Sequence, residues 1–393
     1  MRALDEPLLA ELSALEARDL YRRRKVVASR GPTPRVVVDG RDLVDFCSND
    51  YLGLGRDPRV ALAMANAAAE WGGGATSAHL VTGHTAAHHG LEEDLAGFTG
   101  RERALLFSTG YMANLGVIAT LASRHDLIAE DRLNHASLID AARLSGATVR
   151  RYRHGDAASA ARRLAANRYR RRLVVTDGVF SMDGDLAPLR TLADTTTHHR
   201  AWLVVDDAHG LGVLGEHGGG SLEVAGLGQD EVPVLIGTLG KAFGTFGAFA
   251  AGSAAFVETL VQNARTYIYT TAPPPAVAEA TRTALAIASE ESWRRHRVAG
   301  LVARFREGAG RLGLPLTESR TPIQPVVVGE AAAALAASED LLKQGFWVTA
   351  IRPPTVPENS SRLRITLSAA HRDVDVDDLL DALSRSRIAA PTA

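Results

Sequence analysis

The chain is expected to fold as an α/β protein: a large, mostly parallel sheet wound on both faces by helices, followed by a smaller α+β domain. Three observations predict this. From about residue 46, short apolar runs alternate with helical patterns, the signature of strands joined by helical crossovers. At 393 residues the chain is long enough for two or three domains with a substantial core. Near Ala272-Pro-Pro-Pro275 the alternation stops and a long helical stretch begins.

Taken in order, residues 4–24 place Leu4, Leu8, Leu12, Leu15 and Leu20 close to helical spacing. They end in Arg22-Arg-Arg-Lys25, charges that suit a helix C-terminus. Gly31-Pro-Thr-Pro34 stops that helix, and strands at Arg35–Asp39 and Asp42–Cys47 flank a turn at Gly40. Residues 1–45 therefore read as an arm. The large domain, 46–290, has strand patterns at Ala104–Ser108, Asp126–Glu130, Thr148–Tyr152, Arg172–Thr176, Ala201–Asp206, Pro233–Gly237 and Ala248–Gly252. Helical patterns at His88–Phe98, Met112–Leu121 and Asp156–Ala166 lie between them. The basic run Arg168-Tyr-Arg-Arg-Arg172 reads as a solvated face. Helices Ala276–Glu291 and Trp293–Leu312 lead into the small domain, 291–393. Its strands are expected at Pro325–Val328, Trp347–Ile351 and Arg362–Leu367, with helices at Ala331–Ala337 and Val376–Ser384.

Composition narrows the function. A formal net charge of −1 provides no global field for nucleic acid or an anionic membrane. No apolar run approaches a membrane span, and the N-terminus lacks the apolar core of a signal peptide, so a soluble cytoplasmic protein is expected. The single cysteine, Cys47, excludes an internal disulfide and reads as a buried structural thiol.

The chemistry concentrates in two segments. Val204-Val-Asp-Asp-Ala-His-Gly210 ends an apolar strand in acids and a histidine. About thirty residues on, Gly237-Thr-Leu-Gly-Lys-Ala-Phe-Gly244 offers an amine in a glycine-rich turn. In open α/β sheets ligands bind beyond the carboxyl ends of strands, so both segments deliver side chains to one rim. An acid, a histidine and a lysine there are the equipment to hold and polarise pyridoxal 5′-phosphate (PLP), carried covalently on Lys241. Asp206 is the expected partner of the pyridine nitrogen, and its neighbour Asp207 points away if the strand alternates. His209 can donate to the ring oxygen. Ser108-Thr-Gly-Tyr-Met-Ala-Asn114 runs from strand to helix and forms a phosphate cup, with Thr238 adding a hydroxyl. His135, opening a helix in Asp131-Arg-Leu-Asn-His-Ala-Ser137, is placed to stack on the ring. Arg352 in Ile351-Arg-Pro-Pro-Thr-Val-Pro357 is a clamp for a substrate carboxylate, with Arg364 the weaker rival. His84 and His88 are four apart and His89 adjoins them, but no carboxylate pattern completes a metal site, and none is expected.

As an ordered set these motifs resemble the α-oxoamine synthases. The motifs are Asn49-Asp-Tyr-Leu-Gly53, Leu80-Val-Thr-Gly83, Ser108-Thr-Gly-Tyr111, Asn134-His-Ala-Ser137, Val179-Phe-Ser-Met-Asp-Gly184, Asp206-Asp-Ala-His-Gly210 and Thr238-Leu-Gly-Lys241. Members are fold-type-I PLP enzymes that condense an amino acid with an acyl-CoA and release CO2. The resemblance implies Lys241 as the cofactor lysine, Asp206 at the pyridine nitrogen, His135 stacking, and His209 and Ser181 on the ring side. It places Gly110, Tyr111 and Thr238 at the phosphate, Arg352 on the amino-acid carboxylate, and Thr355 and Arg23 in the substrate region. Arg22 and Arg24 compete with Arg23 for that role. Arg352–Pro357 with Ser361-Arg-Leu-Arg364 resembles the branch that takes L-alanine and an acyl thioester. The resemblance further implies a homodimer, with Tyr267-Ile-Tyr-Thr-Thr271 reaching the neighbour's phosphate. Two positions depart from many relatives: Ala78-His79 where they have Ser-Arg, and Asp177 where several have Glu.

Overall fold

A computed structural model describes residues 5–30, 34–165 and 169–386. Leu4, the Gly31-Pro-Thr part of the helix stop, Ala166 and Arg168 lie outside the described residues. The described chain falls into two compact units. One holds Asn49–Ser181 and Asp185–Val298; the other holds the chain up to Ser48, Met182–Gly184 and the chain from Ala299. The sequence puts the boundary after residue 290, whereas the contacts divide within the helix Trp293–Arg311.

The first helix is shorter than its leucine spacing predicts. It spans Asp5–Ala17 and buries no residue. Asp19 turns left-handed (φ 56°), the Leu20 N–H donates to the Leu15 carbonyl and the Asp19 N–H to that of Glu16. This is a Schellman stop, so Leu20 lies beyond the helix and the arginines 22–24 stand clear of its C-terminus. Strands β1 (Val27–Arg30), β2 (Arg35–Val38) and β3 (Arg41–Asp45) follow in antiparallel order. Sequence patterning missed β1. Asp39 and Gly40 both have positive φ (51° and 73°), the two-residue turn that matches strand twist. Val36, Val38 and Leu43 form a small core of their own.

The larger unit is built on seven strands: β4 (Arg103–Phe107), β5 (Leu127–Asp131), β6 (Thr148–Tyr152), β7 (Arg172–Asp177), β8 (Trp202–Asp206), β9 (Val234–Thr238) and β10 (Ala248–Gly252). They lie in the order β4-β10-β9-β8-β7-β5-β6, with only β10 antiparallel to its neighbours. Val174, Val175, Leu203, Val204 and Val205 are all fully buried, as strands covered on both faces must be. Helices Gly110–Leu121 and Ala254–Asn263 pack Val117, Ile118, Val257 and Leu260 onto this core. Because β4 and β9 both oppose β10, the six other strands point their carboxyl ends the same way.

In the other unit, β11 (Ile323–Gly329), β12 (Phe346–Trp347), β13 (Thr349–Ile351) and β14 (Ser361–Thr366) alternate with helices Ala331–Lys343 and Asp373–Arg385. The single strand predicted at Trp347–Ile351 is in fact two. β12 runs parallel to β3, while β13 pairs with β14 in the sheet β11-β14-β13. The break falls at fully buried Val348, whose carbonyl accepts from the Ser338 hydroxyl at 2.5 Å rather than from a strand. Cys47 Sγ lies 3.2 Å from the Trp347 carbonyl and 3.0 Å from Thr349 Oγ1, and burial pushes its thiol up to about 12. Among the described residues no helix is long and apolar enough to cross a membrane.

Candidate active site

Five segments singled out in the sequence follow the carboxyl ends of β4, β5, β7, β8 and β9, and so lie along one rim of the sheet. At its centre Lys241 Nζ lies 2.8 Å from His209 Nε2. The other ring nitrogen, His209 Nδ1, is 2.7 Å from the Tyr51 hydroxyl, which also reaches Asn49 Oδ1 at 3.1 Å. Tyr51 is fully buried and His209 nearly so. The amine therefore meets an imidazole braced from behind by a phenol.

Asp206 ends β8. Its Oδ2 accepts from Asn114 Nδ2 at 2.7 Å and its Oδ1 from the Ala208 N–H at 3.1 Å. Asp207 turns the other way and accepts from the Ser221 N–H at 2.7 Å. Burial pushes the Asp207 carboxyl up to about 7. His135 is the N-cap of the helix Ala136–Leu144, with its side chain exposed at the rim. Its backbone N–H donates to Asp177 Oδ2 at 2.7 Å, and its Nδ1 is 2.7 Å from Ser137 Oγ. Although one side of the residue meets solvent, the groups packed around its ring desolvate the imidazole and hold it below its ordinary range; Asp206 and Asp140 oppose the shift, while Lys241 adds to it. Asp177 is driven well above the carboxylate range by burial and then by the Asp206 charge. Asp206 and Lys241 thus act on the same two neighbours.

Gly110 and Tyr111 open the helix Gly110–Leu121, where the Thr109 hydroxyl accepts from the Met112 N–H. The Tyr111 hydroxyl donates to Asp140. Thr238 donates to the Gly247 carbonyl at 3.1 Å, and Ser181 follows the turn after β7, half-buried.

The other unit carries Arg23, Arg352 and Thr355. Arg352 donates to the backbone carbonyls of Asp19 and Tyr21 and precedes a cis Pro353–Pro354 bond. Thr355 is exposed, and Arg23 pairs with Glu16 at 2.5 Å. Arg364 is only 8% exposed within β14.

The histidine cluster sorts differently from its spacing. His88 uses both ring nitrogens, accepting from the Thr85 N–H at 3.1 Å and donating to the Pro273 carbonyl at 2.7 Å. His84, His89 and Glu92 bring one ligand atom each to within 4.8 Å of one another. Glu92, which no sequence motif marks, accepts from the Leu106 N–H and is pushed up to about 7 by burial. His79, the departure noted above, stacks on Tyr267 at 4.9 Å.

These residues fit PLP: an amine backed by an imidazole, a carboxylate oriented by two donors, an exposed imidazole, and a helix N-terminus. The chain matches the family model for aminotransferase class I and II over residues 41–383. It is 63% identical over 380 residues, 96% of this chain and 97% of the relative, to the 8-amino-7-oxononanoate synthase of Thioalkalivibrio sulfidiphilus (strain HL-EbGR7). The chain belongs to the α-oxoamine synthases, within that aminotransferase family. A serine palmitoyltransferase from Sphingomonas wittichii superposes with a TM-score of 0.93 at 33% identity, covering 98% of this chain and 97% of the other. A further serine palmitoyltransferase, solved with its PLP internal aldimine, gives 0.92 at 29% identity with the same coverage. Fold type I and dependence on PLP follow for this α-oxoamine synthase.

The sequence by itself assigns no role to Tyr51, Asn114 or Ser137, although all three lie within the motifs that mark the site. For Asn114 a signal existed: it lies four residues after Gly110 on a helix, and such pairs share a face.

Proposed function

We propose that the chain catalyses the PLP-dependent decarboxylative condensation of L-alanine with a pimeloyl thioester. The products are 8-amino-7-oxononanoate, CO2 and the free thiol, a step of biotin biosynthesis. The observation that carries this reading is the 63% identity, at nearly full length, to a relative of that name. The alanine α-carbon bonds to the acyl carbonyl carbon, the carbon–sulfur bond breaks with loss of the thiol, and the α-carboxyl leaves as CO2.

When bound, PLP supplies a sink for electrons released at the α-carbon. Lys241 holds the cofactor and its amine takes the α-proton; the 2.8 Å approach of His209 favours an unprotonated partner in that pair. Asp206, as a carboxylate, keeps the pyridine nitrogen protonated. His135 presents its ring face to the cofactor, and His209 and Ser181 serve the ring side. Gly110, Tyr111 and Thr238 take the phosphate, Gly110 and Tyr111 through N–H groups at a helix start. Arg352 takes the substrate carboxylate, with Thr355 and Arg23 in the substrate region. A homodimer in the cytoplasm is the working assembly; the dimer is inferred from the resemblance to fold-type-I enzymes.

The test is a panel of L-alanine, glycine and L-serine against pimeloyl, acetyl, succinyl and palmitoyl thioesters, read by thiol release and mass analysis of the amino ketone. Alanine with the pimeloyl thioester is expected to turn over fastest. Preference for another pair overturns the substrate assignment, and no turnover with any pair overturns the reaction.

A further inference from the structure

Asn114 joins two groups given separate tasks above. It is 1% exposed, and its Nδ2 donates twice, to Asp206 Oδ2 at 2.7 Å and to Ser137 Oγ at 2.8 Å. Its Oδ1 is buried with no partner in the structure. Turning the amide over would aim that oxygen at the Asp206 carboxylate 2.7 Å away, oxygen against oxygen with no hydrogen between them, so the donor side is assigned. Ser137 Oγ then accepts one hydrogen bond from Asn114 and keeps its own hydrogen to donate. His135 Nδ1, 2.7 Å away, accepts that hydrogen bond. The Ser137 backbone N–H points at the same nitrogen from 3.3 Å. A ring nitrogen facing a backbone donor and a hydroxyl donor is an acceptor and carries no proton.

We infer that Asn114 and Ser137 are positioning residues: they form a relay from Asp206 to His135 that orients the carboxylate and locks His135 as the neutral imidazole protonated on Nε2. This rests on the PLP reading of the site but concerns the protein's own hydrogen bonds. Asn114 couples the acid to the stacking ring, so displacing either end disturbs the other. The ring stays uncharged against the cofactor face while its Nε2–H remains a donor. The charged and titratable groups around His135 are Asp206, Asp140, Asp177 and Lys241, and Asn114 and Ser137 are the uncharged members that fix which nitrogen holds the proton.

The test is 15N NMR of histidine-labelled protein, free of and loaded with PLP, for wild type, Ser137→Ala, Ser137→Thr and Asn114→Leu. The His135 signals are assigned with a His135→Gln variant. Wild type is expected to show His135 Nδ1 unprotonated and Nε2 protonated in both forms. Ser137→Ala is expected to mix the tautomers and raise the ring's pKa by about one unit, since a donor to the neutral form is lost. Ser137→Thr restores the wild-type pattern. Asn114→Leu, with the serine hydroxyl released, is expected to mix the tautomers and lower kcat/KM for alanine about tenfold. A wild-type His135 protonated on Nδ1 overturns the relay without any variant, as does an Asn114→Leu protein with unchanged tautomer and rate. Failure of the wild type to bind PLP or condense alanine would sink the functional reading instead, and the tautomer of the unloaded protein would still decide the relay.

Discussion

At the scale of single residues, Lys241 matters most. Replacing it with alanine would remove both the proposed covalent anchor and the proposed base, so turnover is expected to fall on the order of 10³-fold or more, with loss of the yellow absorbance of the loaded enzyme. His154 tests the electrostatics. It lies between Asp131 Oδ1 at 3.1 Å and Asp185 Oδ2 at 2.8 Å. Burial lowers its pKa, but the two carboxylates outweigh that and raise it to about 10. The folded state therefore binds this proton more tightly than the unfolded chain, where histidine titrates near ~6.5. Its stabilisation is complete below that pH and is lost as pH rises through about 10. The His154→Ala variant should be less stable than wild type by about 1.5–3 kcal/mol at pH 6, and the gap in melting temperature should narrow towards pH 10. Lys241 and Asp206 stand out as candidates in one sequence because their local patterns are distinctive. The tasks of Tyr51, Asn114 and Ser137 were not, since a hydroxyl or amide announces its partner only once the chain has folded.

At the scale of elements, the strand ends do the positioning and glycines make room for them. Asp207 is enclosed so closely that an added Cβ at Gly220 would sit 2.0 Å from its Oδ2, and one at Gly210 would sit 2.2 Å from its Oδ1. Gly220 also has φ +82°. Gly220→Ala is expected to cost at least about 1–3 kcal/mol through backbone strain alone, read as a lower melting temperature. Helix ends are tied in the same unit by Arg294. It donates to the Leu52 carbonyl at 2.8 Å, Asp57 Oδ2 at 2.9 Å and Glu291 Oε2 at 2.8 Å. Asp57 also caps the helix Pro58–Trp71. Arg294→Met removes one of two arginines from Asp57, which Arg59 still bonds at 3.0 and 2.8 Å, and should cost about 1.5–3 kcal/mol, measured by chemical unfolding. Most strands were legible from their apolar runs. The first helix was overextended because leucine spacing continues past a stop made by backbone hydrogen bonds. The strand predicted at Trp347–Ile351 divides because periodicity does not say which sheet a residue joins.

At the scale of the whole molecule, cofactor binding and stability are linked. PLP binds the folded chain and not the unfolded one, so saturating it at about 100 Kd should add about 2.7 kcal/mol and raise the melting temperature by on the order of 5 °C. Lys241→Ala should lose most of that rise, which thermal scans with and without PLP would show. The sequence alone determined the alternation of strands and helices and the family, and singled out Lys241 and Asp206 as candidates, because these rest on local pattern and on motifs in a set order. Tertiary structure decided that β10 runs against its neighbours and that β3 takes a parallel partner from the far end of the chain. It also decided that Asn114 joins Asp206 to Ser137. Those facts depend on which groups meet across long separations in sequence, where burial leaves each donor and acceptor little choice of partner.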